Sequence, residues 1–321
     1  MKELQNWFKE KNIILTHGDS DGICSGAIAK TAYPDAYVYF TSPVSLLDKL
    51  RFIDEVETLI ICDIAIDERY CSELYSVLNK FAEKCDLYYI DHHPFPKDYK
   101  KEDWFYHDTE VCSSELTYRV FEDRLNRDMR RVAIYGAIGD FSDNTPHIKN
   151  WVRDWDKRGL YFQAGALIQA IIHKGREYEF KRKLLEPLSN DIIPSNIPGL
   201  LELARDAAIN EEMVRVFVKE NVKVLKNSAY IVNPNNSISK AAIYAASYGR
   251  REVGIAAEYR DRKGVYDLSI RSRGEVDVNR LLRSVAPKFG GNGGGHPLAA
   301  GARIPEKFLN AFLRTFDKKL G

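Results

Sequence analysis

The 321-residue sequence lacks the features that mark membrane, secreted and strongly charged proteins. No stretch approaches the roughly 18–20 continuous apolar residues that a membrane-spanning helix needs. The charged residues 1–12 contain no apolar core of a secretory signal, so we expect a cytoplasmic protein with no membrane partner. The net charge of +1 argues against a strongly basic nucleic-acid coat and against an acidic tail protein, but it leaves local basic patches open.

Cysteine is scarce and is arranged without a disulfide or zinc pattern. The five cysteines are odd in number and include no CxxC pair, which argues against a disulfide framework and a zinc knot. We interpret them as buried or incidental thiols in a reducing cytosol. They are Cys24, Cys62, Cys71, Cys85 and Cys112. With 45% hydrophobic and 29% charged residues, the chain has the composition of an ordinary folded protein.

The first part of the chain alternates short apolar runs with amphipathic helical stretches. Four runs rich in β-branched and aromatic residues fit strands that are buried on both faces of a parallel sheet. They are residues 13–15, 37–40, 59–62 and 87–90. We therefore predict an N-terminal α/β domain with a doubly wound, mostly parallel sheet. Residues 113–221 look mostly helical, with Ser113 and Ser114 as caps of one helix.

The C-terminal part returns to an α/β pattern, so length and pattern together predict two domains. Strands linked by a hairpin signal at residues 261–264 indicate a smaller α/β domain with a mixed sheet. A glycine-rich loop is predicted at residues 290–295. The predicted boundaries are 1–190 for the N-terminal domain, 191–225 for a helical linker and 226–321 for the C-terminal domain.

Side chains that bear chemistry follow the ends of several predicted strands. Three such segments come directly after the first, third and fourth apolar runs, and another ends a Gly-x-x-Gly-Asp stretch that looks helical. In an open α/β sheet, ligands bind beyond the carboxyl ends of the strands, so we expect these side chains to converge. The predicted cluster contains His17, Asp19, Asp21, Asp63, Asp91, His92, His93 and Asp140.

The predicted cluster is a mixed set of oxygen and nitrogen donors. Carboxylates and imidazoles suit Mn²⁺, with Mg²⁺, Co²⁺ or Zn²⁺ as substitutes, whereas soft thiolate ligation plays no part. With one carboxylate bridging, such a set is large enough for two ions about 3.5–4 Å apart. The sequence therefore predicts a two-metal site in the N-terminal domain.

These segments, in this order, resemble motifs I to IV of the DHH phosphoesterase superfamily. The run Gly293-Gly294-Gly295-His296 is similar to the GGGH signature of the DHH-associated C-terminal domain, apart from the inserted Asn292 that precedes it. The resemblance covers essentially the whole chain. It implies a DHH catalytic domain followed by a substrate-binding domain, as in RecJ-like exonucleases and nanoRNases.

The resemblance also implies a role for each residue of the predicted cluster. Asp63 would bridge two ions, and His93 would contact the scissile phosphate and assist proton transfer, so these two residues would be catalytic. Asp91 would support the histidines by hydrogen bonding rather than by binding metal. The implied ligands are His17 and Asp19 for the first ion and Asp21, His92 and Asp140 for the second, with Asp63 shared.

The predicted substrate contacts lie in the C-terminal domain. Closely spaced glycines let backbone N–H groups approach phosphate oxygens. Arg271 and Arg273 resemble the family's nucleotide-contacting arginine, and their spacing places both on one face of a strand. Residues 260–290 carry eight Lys or Arg residues against four Asp or Glu residues. The full predicted set is Arg271, Arg273, Gly293, Gly294, Gly295 and His296.

For function, the resemblance implies a Mn²⁺-dependent phosphodiesterase that acts on single-stranded nucleic acid or short oligonucleotides and releases mononucleotides. The compact layout is similar to that of nanoRNases and of short archaeal DHH nucleases of the Hef-associated type. The latter imply 3′→5′ polarity, a DNA-repair helicase as partner and a homotrimer. Two alternatives stay open: a phosphatase for phosphoadenosine phosphate or a cyclic dinucleotide, and a non-enzymatic replication or repair scaffold.

Overall fold

The computed structural model describes residues 10–94, 102–234 and 237–321. The chain divides into two compact units, Met1–Ala207 (unit 1) and Ala208–Gly321 (unit 2). The boundary between the units lies within a helix and inside the segment that the sequence predicts as a linker. Within the described ranges, no helix is both long and apolar enough to cross a membrane.

Unit 1 is built on a five-stranded sheet that is parallel throughout, in the order β2-β1-β3-β4-β5. The central strand β3 is buried along its whole length, as expected for a parallel sheet covered on both faces. The short strand β5 was not predicted, because three residues carry too little periodicity to stand out. The strands are β1 (Asn12–Thr16), β2 (Tyr37–Phe40), β3 (Thr58–Cys62), β4 (Asp86–Asp91) and β5 (Phe105–His107).

Helices cover both faces of this sheet. Ile14, which points to one face, packs in a large cluster with α1 and α4 to α9, whereas Ile13 and Leu15 pack on the other face with α2 and α3. The predicted doubly wound α/β fold is confirmed. The helices are α1 (Ser20–Ala32), α2 (Pro43–Leu50), α3 (Cys71–Ala82), α4 (Ser113–Val120), α5 (Arg130–Gly139), α6 (Pro146–Trp151), α7 (Lys157–Lys174), α8 (Tyr178–Ser189) and α9 (Leu200–Asn221), which runs into unit 2.

The predicted caps of α4 are wrong. Helix α4 begins at Ser113, and Cys112 is its capping residue, whose side chain accepts no hydrogen bond from the backbone N–H groups of the first turn. The backbone N–H groups of Ser113 and Ser114 instead donate to the carboxylate of Asp21, at 2.8 and 3.0 Å. A side chain from a distant helix thus takes the place of a local cap, which no local sequence pattern could indicate.

Unit 2 contains a six-stranded sheet in the order β10-β11-β9-β8-β7-β6. Strands β7 and β8 are parallel and all other neighbours are antiparallel, so the predicted mixed sheet is confirmed. Helix α10 and the end of α9 pack on one face, and α11 and α12 on the other. The elements are β6 (Lys223–Val224), β7 (Ser228–Val232), α10 (Ile238–Tyr248), β8 (Val253–Arg260), β9 (Val265–Ser272), α11 (Val278–Val285), β10 (Asn292–His296), β11 (Ala299–Pro305) and α12 (Leu309–Lys319).

The glycine run forms a strand, so its prediction as a loop is wrong. Residues 292–296 are β10, which pairs with β11 and packs beside α11. A Cβ atom on Gly293 would lie 2.7 Å from the carbonyl oxygen of Gly301 and 2.9 Å from Leu282. The glycines therefore let this edge strand pack closely against its neighbours. In the sequence alone, a glycine run that allows close packing looks the same as one that forms a flexible loop.

Candidate metal centre

The predicted cluster assembles at the carboxyl edge of the unit 1 sheet. Strands β1, β3 and β4 are adjacent, and each runs in the same direction. His17, Asp63 and His92 follow these three strands, so the sheet itself brings them to one edge. The ligand atoms fall into overlapping groups whose members all lie within 4.8 Å of one another.

The first group contains His17, Asp19 and Asp63. Nδ1 of His17 lies 2.8 Å from Asp19 Oδ2 and 3.8 Å from Asp63 Oδ2. The other oxygen of Asp19 accepts a hydrogen bond from the Gly22 N–H at 3.0 Å and caps α1. Burial alone would raise the pKa of Asp19, but the interactions with His17 and Gly22 lower it below its usual value. The cap thus holds a charged carboxylate toward His17.

Asp63 lies between the groups and is the least satisfied residue of the centre. It is 2% exposed and has a left-handed backbone, with φ of 57°. Its Oδ1 accepts a hydrogen bond from the Ser113 hydroxyl at 3.2 Å and lies 3.5 Å from His92 Nε2. Its buried Oδ2 accepts no hydrogen bond from any residue in the described ranges.

The surroundings of Asp63 penalise its negative charge. Burial and the neighbouring carboxylates Asp19 and Asp21 raise the pKa of Asp63 well above its usual value. A buried carboxylate oxygen without a donor is costly unless another positive group compensates it. The orphaned oxygen and the carboxylate–imidazole donor set therefore fit a divalent cation.

The second group contains Asp21, His92 and Asp140. His92 Nδ1 lies 3.8 Å from Asp140 Oδ2, which also accepts a hydrogen bond from the Ser142 hydroxyl at 2.8 Å. Burial and the charge of Asp140 raise the pKa of Asp21 to about 6. Two backbone N–H groups of α4 already hold Asp21 in place, so mutual repulsion does not push the carboxylates apart.

Two glycines explain how Asp140 reaches this group. A Cβ atom on Gly136 would lie 2.2 Å from the Ser114 hydroxyl and 2.8 Å from Asp21. A Cβ atom on Gly139 would lie 2.1 Å from the hydroxyl of Ser20. Only glycine lets α5 approach α1 and α4 this closely, and α5 ends with Asp140 as its capping residue. The Gly-x-x-Gly-Asp spacing thus has a packing reason.

Asp91 and His93 form a pair beside the two groups. His93 Nδ1 lies 2.8 Å from the buried carboxylate of Asp91, and the interaction with Asp91 raises the pKa of His93 although burial opposes it. The carbonyl oxygen of His93 lies 2.7 Å from His107 Nε2. His93 also lies close enough to Asp63 and His92 to form a third group of possible ligand atoms, which the sequence did not indicate.

Sequence reasoning missed Lys181, a residue of α8. This lysine is 6% exposed, and its Nζ donates a hydrogen bond to the carbonyl oxygen of Gly18, between His17 and Asp19. Burial lowers its pKa, and the charge of Asp19 acts in the opposite direction. Lys181 is 163 residues from Gly18 in sequence and lies in an ordinary amphipathic helix, so no sequence signal marks it.

The two arginines of unit 2 differ in burial. Strand β9 ends at Ser272, although the Arg273 N–H still donates to the Glu252 carbonyl oxygen at 2.9 Å. Arg271 is partly buried and donates to the Ser239 hydroxyl at 2.7 Å, whereas Arg273 is exposed. The glycines and His296 form β10. A substrate contact by any of these residues stays a prediction.

Fold and site together define a two-unit α/β protein with an acidic–imidazole centre at the carboxyl edge of a parallel sheet. The family model of the DHHA1 domain matches residues 216–321. The chain is 24% identical over 301 residues to the bifunctional oligoribonuclease and PAP phosphatase NrnA of Bacillus subtilis, covering 86% of this chain and 82% of that protein. Both matches agree with the resemblance of the sequence motifs to the DHH phosphoesterase superfamily.

Solved structures share this fold at low sequence identity. The DHH domain of a protein from a ribosomal-protein family has a TM-score of 0.70 at 19% identity, covering 99% of this chain and 88% of that one. Exonuclease RecJ bound to manganese has a TM-score of 0.63 at 16% identity, covering 99% and 92%. The pGpG-specific phosphodiesterase PggH of Vibrio cholerae has a TM-score of 0.60 at 15% identity, covering 97% and 99%.

Proposed function

We propose that the protein is a metal-dependent phosphodiesterase that releases mononucleotides from the 3′ end of single-stranded nucleic acid or short oligonucleotides. The observation that carries this proposal is the buried, orphaned Oδ2 of Asp63 between two groups of ligand atoms. A carboxylate in that position suits two cations at once, which is the arrangement that phosphodiester hydrolysis commonly uses.

The residues divide between two ions as the superfamily resemblance implies. Mn²⁺ suits this donor set, with Mg²⁺ or Co²⁺ as substitutes. When bound, the cations supply positive charge that neutralises the phosphate and lowers the pKa of a nearby water. The proposed ligands are His17 and Asp19 for one ion, Asp21, His92 and Asp140 for the other, and Asp63 for both.

His93 is suited to move the proton. Its Nδ1 faces the Asp91 carboxylate, which fixes the orientation of the ring and favours its protonated form. We assign Nε2 as the atom that contacts the scissile phosphate and donates a proton to the leaving oxygen. Asp91 acts only through His93, since it is buried behind the ring and does not belong to any of the three groups of ligand atoms.

The nucleic-acid substrate is supported by the similar proteins and by unit 2. An oligoribonuclease, an exonuclease and a pGpG-specific phosphodiesterase are all named among them. Residues 260–290 are rich in arginine and lysine, which favours a phosphate-bearing substrate. We propose that Arg271 and the glycine strand contact it. The homo-oligomer, the repair-helicase partner and the cytoplasmic location remain predictions from the sequence.

A second candidate is a phosphatase acting on phosphoadenosine phosphate, because the relative NrnA is named for that activity as well. The same metal centre would serve a terminal phosphate. The two candidates differ in whether an internal diester is cleaved, so they are separable by substrate.

The test uses DNA and RNA strands of about 2–20 nucleotides, labelled at the 5′ or 3′ end, with phosphoadenosine phosphate in parallel. We expect Mn²⁺-dependent shortening from the 3′ end and abolition by Asp63→Ala. Turnover of phosphoadenosine phosphate alone would favour the second candidate. Full activity of the Asp63→Ala variant would show that the metal centre is misassigned. If the wild-type protein neither cleaved a substrate nor bound Mn²⁺, a scaffold would be favoured.

A further inference from the structure

Helix α5 ends in a turn that normally takes glycine. The Ser142 N–H donates to the Ala137 carbonyl oxygen at 2.9 Å, and the Phe141 N–H to that of Ile138 at 3.4 Å. This pair of hydrogen bonds is the Schellman pattern, in which the residue after the cap adopts a left-handed conformation. Here that residue is Phe141, with φ of 59°. A bulky side chain strains such a backbone, whereas glycine does not.

Phe141 gains no packing in return for this strain. Its side chain is 83% exposed, more than any other large hydrophobic side chain in the described ranges. An aromatic residue that is both strained and solvated does not stabilise the fold through its ring. Such outliers concentrate where a substrate or ligand takes up the exposed group.

The position of Phe141 connects it to the metal centre. It directly follows Asp140, so the two Cα atoms lie about 3.8 Å apart. The hydroxyl of Ser142, on its other side, donates to the Asp140 carboxylate at 2.8 Å. The turn that places a proposed metal ligand therefore also places an exposed aromatic residue directly beside that ligand in the chain.

We propose that Phe141 is a specificity-determining residue that stacks on the nucleobase of the nucleotide whose phosphate lies at the metal centre. This inference rests on the proposed function. Aromatic rings bind bases of any identity by stacking, since every base has a flat π surface. The ring would thus select substrates that carry a base next to the cleaved phosphate, without selecting a sequence.

The test compares an intact oligonucleotide with one that carries an abasic residue at the 3′-terminal or the penultimate position. For Phe141→Gly we expect the KM for the intact strand to rise about tenfold, with kcat within about threefold, and almost no change on the matching abasic strand. Phe141→Trp should keep the wild-type KM, because the indole also stacks. Phe141→Gly should unfold at an unchanged or higher temperature, since glycine suits the left-handed turn.

The matched control is Phe52→Ala. Phe52 is 44% exposed and lies between the end of α2 and the start of β3. It is therefore at the amino edge of the sheet, opposite the carboxyl edge that carries the metal centre. We expect this variant to behave as wild type, and we expect Mn²⁺ affinity measured by calorimetry to be unchanged in Phe141→Gly.

Three outcomes would overturn the stacking role. They are an unchanged KM in Phe141→Gly, an equal loss on intact and abasic strands, and weakened Mn²⁺ binding, which would show that Phe141 acts only through Asp140. In each case wild-type cleavage of the oligonucleotide would still support the proposed function. Wild-type protein that cleaves neither strand would overturn both.

Discussion

Asp63 of unit 1 and Asp317 of unit 2 are both buried carboxylates, at 2% and 8% exposure, but their surroundings differ. Asp317 Oδ1 accepts hydrogen bonds from the Ser228 N–H and hydroxyl, each at 2.7 Å, and from the Asn227 N–H at 2.9 Å. Asp63 has one donor hydroxyl, an orphaned oxygen and other carboxylates nearby. A buried carboxylate whose oxygens accept hydrogen bonds from the protein has a structural role. A buried carboxylate oxygen without a donor indicates a binding site for a positively charged ligand.

The largest expected effect comes from replacing the unsatisfied carboxylate. Asp63→Ala should lower the rate of oligonucleotide hydrolysis on the order of 10³-fold and abolish tight Mn²⁺ binding, because both ions lose a shared ligand. The unfolding temperature in chelator should not fall, since the variant removes a charge whose raised pKa shows that the fold disfavours it. Activity assays, calorimetry and thermal unfolding measure these quantities.

The satisfied carboxylate supplies the control. Asp317→Ala should lower the free energy of unfolding by about 2–3 kcal/mol, because it leaves one buried N–H group, one partly buried N–H group and a buried hydroxyl without an acceptor. Mn²⁺ affinity should stay at the wild-type value. If Asp317→Ala lost Mn²⁺ binding while Asp63→Ala lost stability, the contrast between the two carboxylates would be wrong.

The next effect is a pH dependence that arises from the unsatisfied carboxylates of unit 1. The pKa of Asp21 rises from 3.8 to about 6 on folding, so between these values the folded chain holds a proton that the unfolded chain has released. In chelator, the free energy of unfolding should therefore fall by about 2–3 kcal/mol as the pH rises from 4 to 7.

Urea unfolding across this pH range measures the effect. In Asp21→Asn the fall between pH 4 and 7 should be smaller, since the titrating carboxyl is gone. Added Mn²⁺ should reverse the trend in wild type, because the cation binds the ionised carboxylates. Equal pH dependence in wild type and in Asp21→Asn would show that Asp21 does not carry a raised pKa.

A smaller effect is expected from Lys181. Lys181→Met should weaken Mn²⁺ binding about tenfold, because the Gly18 carbonyl loses its donor and the loop that carries His17 and Asp19 is less well held. Loss of the positive charge beside Asp19 favours Mn²⁺ binding, so it partly offsets the weakening. Calorimetric titration measures it, with the exposed Lys183 of the same helix, replaced by Met, as the control. Unchanged or tighter binding in Lys181→Met would show that the lysine does not position the loop.

The smallest effect separates the two arginines of unit 2. Arg271→Gln should raise the KM for oligonucleotides about fivefold, since Ser239 holds this guanidinium in a fixed orientation and little freedom is lost on binding. Arg273→Gln should change KM less than about twofold, because an exposed arginine beyond the strand end makes weak, screened contacts. A larger effect at Arg273 would reverse the assignment of the substrate-contacting arginine.

Much of the unit 1 centre could be predicted from sequence because the rule behind it is topological. Apolar runs identify buried parallel strands, and the residues that follow such strands meet at one edge of the sheet. His17, Asp63 and His92 follow this rule. Asp140 does not follow a strand. It reaches the centre because Gly136 and Gly139 let α5 approach its neighbours closely, and the Gly-x-x-Gly-Asp spacing contains these glycines but does not reveal their packing role.

Other features depend on contacts between distant segments and leave no local pattern. The N–H groups of Ser113 and Ser114 bond to Asp21, although the same residues in sequence look like caps. The glycine run is a paired strand, because the distant β11 supplies its partner. Arg271 and Arg273 are equivalent by alternation, and only the structure shows that Arg271 is partly buried against Ser239 whereas Arg273 is exposed.

The sequence by itself determined the fold class and the residues that meet at the sheet edge, since the positions and ends of the strands follow from hydrophobic patterning. Only the tertiary structure decided which carboxylates are satisfied and which are not. That distinction depends on donors brought from elsewhere in the chain, such as Ser113 for Asp63 and Asn227 for Asp317. Hydrogen bonding and desolvation act over a few ångströms in space, so they are set by packing rather than by spacing along the chain.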